Sequence, residues 1–342
     1  MKEKTAQRDL LFDNLKGFLM LVVMICHAFE FYITWRKVPT LMDTAFFVIY
    51  CFHMPFFVFI SGYFTKNIEK GKDEAFASFL LPFFLFNIAY YLYKYSINPF
   101  AVTDDFLFTP LYTFWYLLCM YLWRVFAKDF KRIRYIIPIS FILGLVVGTI
   151  KAYDRFLSMS RFFVLLPFFV LGMFTTPEMI KKLRKTIRWP YAVFGIVAAV
   201  ACALFIYFKT SINYLLNHNS MPYATLGLSL TEGILLRAVL YVIALLFIVS
   251  VTVVFPRKKT VFTLPGQRSL HMFIFHSFIW ELIPLINRLS KNPWLGNTWQ
   301  NALILIVVAT LGWWLLSLPV FEILYGYISA VLTKLVLKKA KE

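Results

Sequence analysis

The sequence predicts an all-α membrane protein, a polytopic bundle of about ten transmembrane helices with both termini on the cytoplasmic side. Three observations carry that reading. The 342 residues are 61% hydrophobic and only 15% charged, with a mean hydropathy of +0.72, unlike a water-soluble domain. Apolar runs of about 18–25 residues, each long enough to cross a hydrocarbon core of ~30 Å, recur from end to end. Basic residues, finally, alternate between heavy and light connections.

Taken in order, the runs lie at 10–33, 42–64, 75–94, 108–127, 133–150, 160–176, 189–208, 227–254, 267–288 and 299–333. The first follows the charged stretch that contains Lys2, Lys4 and Arg8, as a secretory signal would. It is too long for one and has no small-x-small cleavage site, so it is expected to be retained. The second ends on Ser61-Gly62, a pair that lets helices approach closely and hydrogen-bond in the bilayer. Pro55, Pro82, Pro138, Pro167, Pro284 and Pro319 mark kinks that membrane helices tolerate. The sixth run is the shortest, and the last is long enough to tilt or to extend into the interface. Residues 209–226 form the longest outer connection, with Asn217, His218 and Pro222 as turn formers. Polar stretches stay under about 20 residues, so 1–342 reads as a single membrane domain without an appended soluble domain.

A net charge of +18 invites a nucleic-acid reading, but its distribution opposes one. Twenty-four of the 35 Lys and Arg residues fall on the inner side, at Lys2–Arg8, Lys66–Lys72, Arg124–Arg134, Lys181–Arg188, Arg257–Arg268 and Lys334–Lys341. The outer side holds Arg36, Lys37, Lys94, Lys151, Arg155, Arg161, Lys209, Arg288 and Lys291. The excess is thus a topology signal and an attraction to anionic headgroups; no nucleic-acid partner is expected, and the bilayer is. Cys26, Cys51, Cys119 and Cys202 are scattered through apolar runs without metal-ligand spacing, so buried free thiols are expected and no metal site.

Chemistry is signalled by ionisable residues inside the runs. Lys16 and His27 are eleven residues apart, three helical turns plus roughly 20°, so they share a face and lie roughly 16 Å apart along the axis. His53 and His276 fall at similar mid-membrane depth. One such histidine serves packing as readily as function; three on different helices point to a shared polar cavity. Glu30, three residues after His27, can orient that imidazole. Arg161 opens the sixth run from outside, and Glu281 interrupts the ninth. Glu232 and Arg237 interrupt the eighth, either as mutual structural partners or for function. His271 and His218, near the ends of their segments, are expected to be solvated.

Four elements in consistent order carry a resemblance. Phe12-Asp13-Asn14-Leu15-Lys16-Gly17 running on to His27 resembles the opening of the acyltransferase-3 family of integral membrane O-acyltransferases, a basic residue, ten positions and a histidine. Phe52-His53-Met54-Pro55 through Ser61-Gly62-Tyr63-Phe64 is similar to that family's branch of fucose 4-O-acetylase-like proteins. Ser160-Arg161-Phe162 with Leu166-Pro167-Phe168-Phe169 and Leu171-Gly172, then Gly266-Gln267-Arg268-Ser269-Leu270 with His276, resemble two later elements of the same branch. The chain departs from the wider family in having lysine at the basic position and no Arg-x-x-Arg pair in the third run. It also lacks the hydrolase-like domain fused to some members, so a second acyl-transfer step would fall to another protein.

The resemblance implies transfer of an acetyl group from cytoplasmic acetyl-CoA to a sugar hydroxyl of a cell-envelope or exported polysaccharide, or of a lipid-linked sugar, in the cell membrane. Acetyl-CoA is then a donor and not a permanently bound cofactor. Such transfer needs a base, an oxyanion stabiliser and a positioned donor. His27 is the candidate base with Glu30 as its orienting partner. Lys16 is the candidate donor-binding residue. His53, Arg161 and His276 are candidates for acceptor binding or proton relay. Direct transfer and a covalent acyl-histidine both remain open. The rival reading is a transporter or flippase of envelope precursors, and a third is an inactive scaffold. The glycerolipid acyltransferase pattern, His with Asp five positions on, fails because Tyr32 stands there.

Overall fold

The computed structural model describes residues 9–33, 41–97, 105–150, 156–209, 221–290, 295–296 and 298–337, apart from the side chain of Arg288. Lys2, Lys4, Arg8, Arg36, Lys37, Lys151, Arg155, Asn217, His218, Lys291 and Lys341 lie outside the described residues. Asp9 caps the first helix, α1 (Leu10–Glu30), by accepting a hydrogen bond from Leu11 N at 3.1 Å. The helix is mostly apolar and buried along most of its length, and several other helices pack directly on it.

The second run forms two helices, α2 (Leu41–Tyr50) and α3 (His53–Tyr63), broken at Cys51–Phe52. Pro55 has no N–H for the Cys51 carbonyl, which a continuous helix would use. At the break, the His53 Nδ1 bonds the Ile49 carbonyl at 2.9 Å. α4 (Ile68–Ala75) continues through a π turn at Phe76–Leu80 into α5 (Leu81–Ile97), the turn falling just before Pro82. α6 (Trp115–Arg132) starts at Trp115, later than the run read from 108. α7 (Ile136–Val146) and α8 (Met159–Phe174) follow.

A helix not anticipated from the sequence, α9 (Pro177–Thr186), occupies one basic inner connection. Thr176 caps it, Pro177 opens it, and Arg184 and Lys185 stand in its last turn, where the helix dipole favours cations. Glu178 in its first turn has its carboxyl held below the usual range by helix N-terminal N–H and Thr176 hydrogen bonds. Beyond α10 (Trp189–Lys209), Ser229 and Glu232 form a reciprocal capping box at the start of α11 (Leu230–Val254). Glu232 is therefore an end cap and not the partner of Arg237. The buried Arg237 donates from Nε to the Tyr223 hydroxyl at 3.1 Å.

The ninth run is divided into α12 (Thr263–Gln267), α13 (Ser269–Trp280) and α14 (Leu282–Ser290). The run 299–333, read as one long segment, is two helices, α15 (Trp299–Leu316) and α16 (Pro319–Val336). Pro319 suits the first turn of a new helix. Arg268 holds the corner, bonding the Ser317 carbonyl and pairing through Nε with Glu322 at 2.7 Å.

Among the described residues, nine helical stretches are long and apolar enough to cross a membrane. α6 is not one of them, because Arg124, Lys128, Asp129, Lys131 and Arg132 crowd its C-terminal half. Phe194 on α10 is 70% exposed and Leu335 on α16 is 77% exposed. Such surface opposes solubility in water and suits contact with lipid. Cys202 shares the exposed face of α10, against expectation, while Cys26, Cys51 and Cys119 are buried free thiols. The fold is a polytopic helical membrane bundle.

Two glycine crossings set its spacing. A Cβ on Gly62 of α3 would overlap the Phe169 carbonyl of α8, and one on Gly172 would overlap the Phe59 carbonyl. Gly17 of α1 and Gly266 of α12 face each other's backbones in the same way. Beside this second crossing, Asn14 is fully buried and uses its whole amide. Its Nδ2 donates to the carbonyls of Pro256 (2.9 Å) and Lys258 (2.8 Å), and its Oδ1 accepts from Thr260 (2.9 Å) and Thr263 (2.6 Å). Asn14→Ala leaves four groups without that partner, each worth about 1–3 kcal/mol when left unsatisfied. The expected result is a melting temperature lowered by several degrees in detergent, read by thermal scanning of the purified protein, and an unchanged value would refute the pinning role.

Candidate active site

α1 carries Lys16 and His27 at different depths. In its last turn, His27 Nδ1 lies 2.8 Å from Glu30 Oε2. A carboxylate only accepts, so this bond places a proton on Nδ1, and in the neutral ring the lone pair is on Nε2. From α13, the fully buried His276 brings its ring centroid to 5.4 Å from that of His27. Its Nδ1 bonds the Phe273 carbonyl, which fixes the same tautomer. Its Nε2 is buried without a hydrogen-bond partner among the described residues. Two basic nitrogens thus belong to one buried pair.

On one side of the pair stands an aromatic and polar wall. The Tyr112 ring lies 4.9 Å from His27 and stacks on Tyr90 at 5.8 Å. The Tyr90 hydroxyl donates to the buried Glu281, whose carboxylate also meets Lys94 Nζ at 3.3 Å. Glu281 therefore has its charge matched by a lysine counted from the sequence only as an outer loop residue.

Around Lys16, toward the start of α1, lies a cavity of about 250 Å³, lined by residues that include Ser61, Phe64, Tyr116, Arg124 and Phe273. Lys16 pairs with Asp13 at 3.0 Å and lies over the Phe64 ring at 5.2 Å. Asp13 is held in turn by Gln267 at 3.1 Å. Ser61 bonds Tyr116 at 2.6 Å. The Arg124 guanidinium lies 5.6 Å over Phe79, the residue that the π turn presents to the cavity, and its Nε lacks a hydrogen-bond partner among the described residues. Phe273 lines this cavity, and its ring is 5.4 Å from that of His276. One phenyl ring separates the cationic cavity from the histidine pair.

A family profile described as an acyltransferase domain matches residues 10–318. The chain belongs to the acyltransferase-3 family. Many of its helices are long and apolar enough to embed it in a membrane. One similar protein is the nodulation protein NolL of Mesorhizobium japonicum (strain LMG 29417 / CECT 9101 / MAFF 303099), 37% identical over 84 residues. That stretch covers 23% of this chain and 22% of the relative, so the likeness spans about a fifth of that protein. No solved structure matches the chain.

Three of the six residues singled out from sequence lie in this arrangement as a connected group. His27 and His276 are buried, the partly exposed Glu30 joins them through its bond to His27, and Lys16 stands apart in the cavity. His53 is placed by the Ile49 carbonyl and packs edge-on against Tyr50 at 4.7 Å. Arg161 lies 5.0 Å over the Trp115 ring. His271, expected to be solvated, is buried, its ring tilted against that of Tyr325 at 6.5 Å. Arg124, Tyr112 and Tyr116 were not singled out. Arg124 had been counted as a topology charge, and the two tyrosines carry no sequence signal among 19.

Proposed function

We propose that this acyltransferase moves an acetyl group from cytoplasmic acetyl-CoA to a sugar hydroxyl of a cell-envelope or exported glycan, free or lipid-linked, in the cell membrane. The observation that carries the reading is the cationic cavity ending one ring away from two histidines with free lone pairs. Lys16 and Arg124 suit the phosphates of a nucleotide thioester, and the aromatic lining suits its pantetheine arm. That arm, with a chemical length of roughly 15–20 Å, matches the roughly 16 Å rise from Lys16 to His27 along α1.

His27, oriented by Glu30, takes the proton of the acceptor hydroxyl as that oxygen attacks the thioester carbonyl. The imidazolium then returns the proton to the departing thiolate. His276 Nε2 can accept a hydrogen bond from the acceptor or pass the proton on; His53 and Arg161 are proposed to bind the acceptor on its way in.

The test is purified protein with radiolabelled acetyl-CoA, together with NMR of surface glycans from deletion and complemented strains. Label on a glycan, and O-acetyl signals restored by the complementing copy, are expected. Movement of a glycan precursor across vesicles without any label would overturn the reading in favour of a carrier.

A further inference from the structure

The histidine pair leaves one need of acyl transfer unmet. Both rings carry their fixed proton on Nδ1, engaged by Glu30 or by the Phe273 carbonyl, so both Nε2 atoms present lone pairs. A negative oxygen forming between them would meet no donor from either neutral ring, and Lys16 is roughly 16 Å along the helix from His27. The oxyanion needs an O–H or N–H aimed from another element.

We propose that Tyr112 is a catalytic residue, donating its phenolic O–H to the oxyanion of the tetrahedral intermediate that forms beside His27. The inference rests on the acyl-transfer reading of the same site. Three independent observations support it. The Tyr112 hydroxyl is buried without a hydrogen-bond partner among the described residues, an uncommon state for so strong a donor. Its backbone has φ +47°, in the left-handed region that a bulky side chain rarely adopts. Its ring lies 4.9 Å from that of His27.

Strained backbones persist only where their surroundings hold them, and they gather at working sites. Here the neighbours do the holding. Thr113 bonds Ser277 of α13 at 2.6 Å, and Phe114 is fully buried at the head of α6. On the ring's face, Tyr90 stacks nearly parallel, at 9°, and is itself fixed by its bond to Glu281. The phenol is therefore a donor set in place beforehand, with no bond to break when the oxyanion appears.

The step balances as follows in atoms and charge. The acceptor oxygen bonds to the carbonyl carbon while its proton passes to His27 Nε2. The carbonyl π pair moves onto oxygen, which accepts the Tyr112 O–H. On collapse the C–S bond breaks, its pair leaves on sulfur, and the thiolate takes the proton from His27.

The experiment uses the full chain reconstituted in nanodiscs, with radiolabelled acetyl-CoA and membranes of a deletion strain as acceptor source. Tyr112→Phe is expected to lower kcat by about 10²–10³-fold, the loss that follows removal of one oxyanion donor, with KM for acetyl-CoA unchanged. Its melting temperature should match or exceed wild type, because the missing hydroxyl had no partner to lose. An active wild type with an equally active Tyr112→Phe overturns this proposal alone, whereas a wild type inert toward acetyl-CoA overturns the acetyl-transfer reading with it. Full activity of Tyr112→Phe beside a large loss in Trp280→Phe would move the role to the indole N–H of Trp280, a buried donor on α13 without a hydrogen-bond partner among the described residues. Should Tyr112→Phe fail to fold, 3-fluorotyrosine at position 112 keeps shape and sharpens the donor; a kcat that ignores that change refutes the role.

Discussion

His27→Ala is expected to abolish acyl transfer, with a fall of about 10³-fold or more in kcat and normal abundance in the membrane. General acid–base catalysis contributes about 10²–10⁴-fold, and this imidazole is asked to both take and return the proton. Folding should survive, since the ring's polar bond is to Glu30 three residues along the same helix, not to a neighbouring helix. Glu30→Gln provides the graded control. The amide can still bond the ring but no longer fixes its tautomer by accepting alone, so a smaller loss of about 10–100-fold is expected. Labelled acetyl transfer with blotting of membrane fractions checks both variants. Wild-type transfer by His27→Ala would refute the assignment.

The second large effect concerns the donor. Charge-assisted hydrogen bonds are worth about 1.5–3 kcal/mol each, which sets the scale for Lys16 and Arg124 against phosphate. Single alanine variants are expected to raise KM for acetyl-CoA by about 10–100-fold while leaving kcat at saturation near wild type. The double variant should approach the product of the two, since the residues come from different helices and share no direct contact in the ion pairs of Lys16. Acetyl-pantetheine, which lacks the nucleotide, should be used equally by wild type and both variants. Discrimination against it by wild type alone is the signature of phosphate recognition; identical KM for acetyl-CoA in all four proteins would refute it.

Much of the architecture was legible because lipid imposes a simple rule, that every spanning backbone must satisfy itself as helix. Hydrophobic runs therefore found nearly all the long helices, and helical periodicity alone put Lys16 and His27 on one face. Breaks within runs were less readable. The interruption at Cys51–Phe52 and the corner at Ser317–Leu318 depend on prolines that elsewhere, as at Pro167, sit inside an unbroken helix. Pairing was least readable, since it joins distant segments. Nothing local ties Glu281 to Tyr90 and Lys94, or Asn14 to the residues around Thr260. Glu232 and Arg237, five residues apart and opposite in charge, turned out to have separate partners. Tyr112 escaped notice because its significance is a backbone angle and an unbonded hydroxyl, neither of which is written in residue type.

The single ring of Phe273 also bears on voltage. Under the proposed reaction with an outer acceptor, an acetyl group passes outward beyond that ring while the acceptor's proton passes inward to sulfur. The thioester and the thiol carry the same charge on their side, as do the alcohol and the ester on theirs, because the electron pair that ends on sulfur balances the proton. The exchange is electroneutral. None of the about 2.3 kcal/mol per 100 mV that one full charge would gain is available to it. Turnover is therefore expected to be indifferent to membrane potential and to register no current.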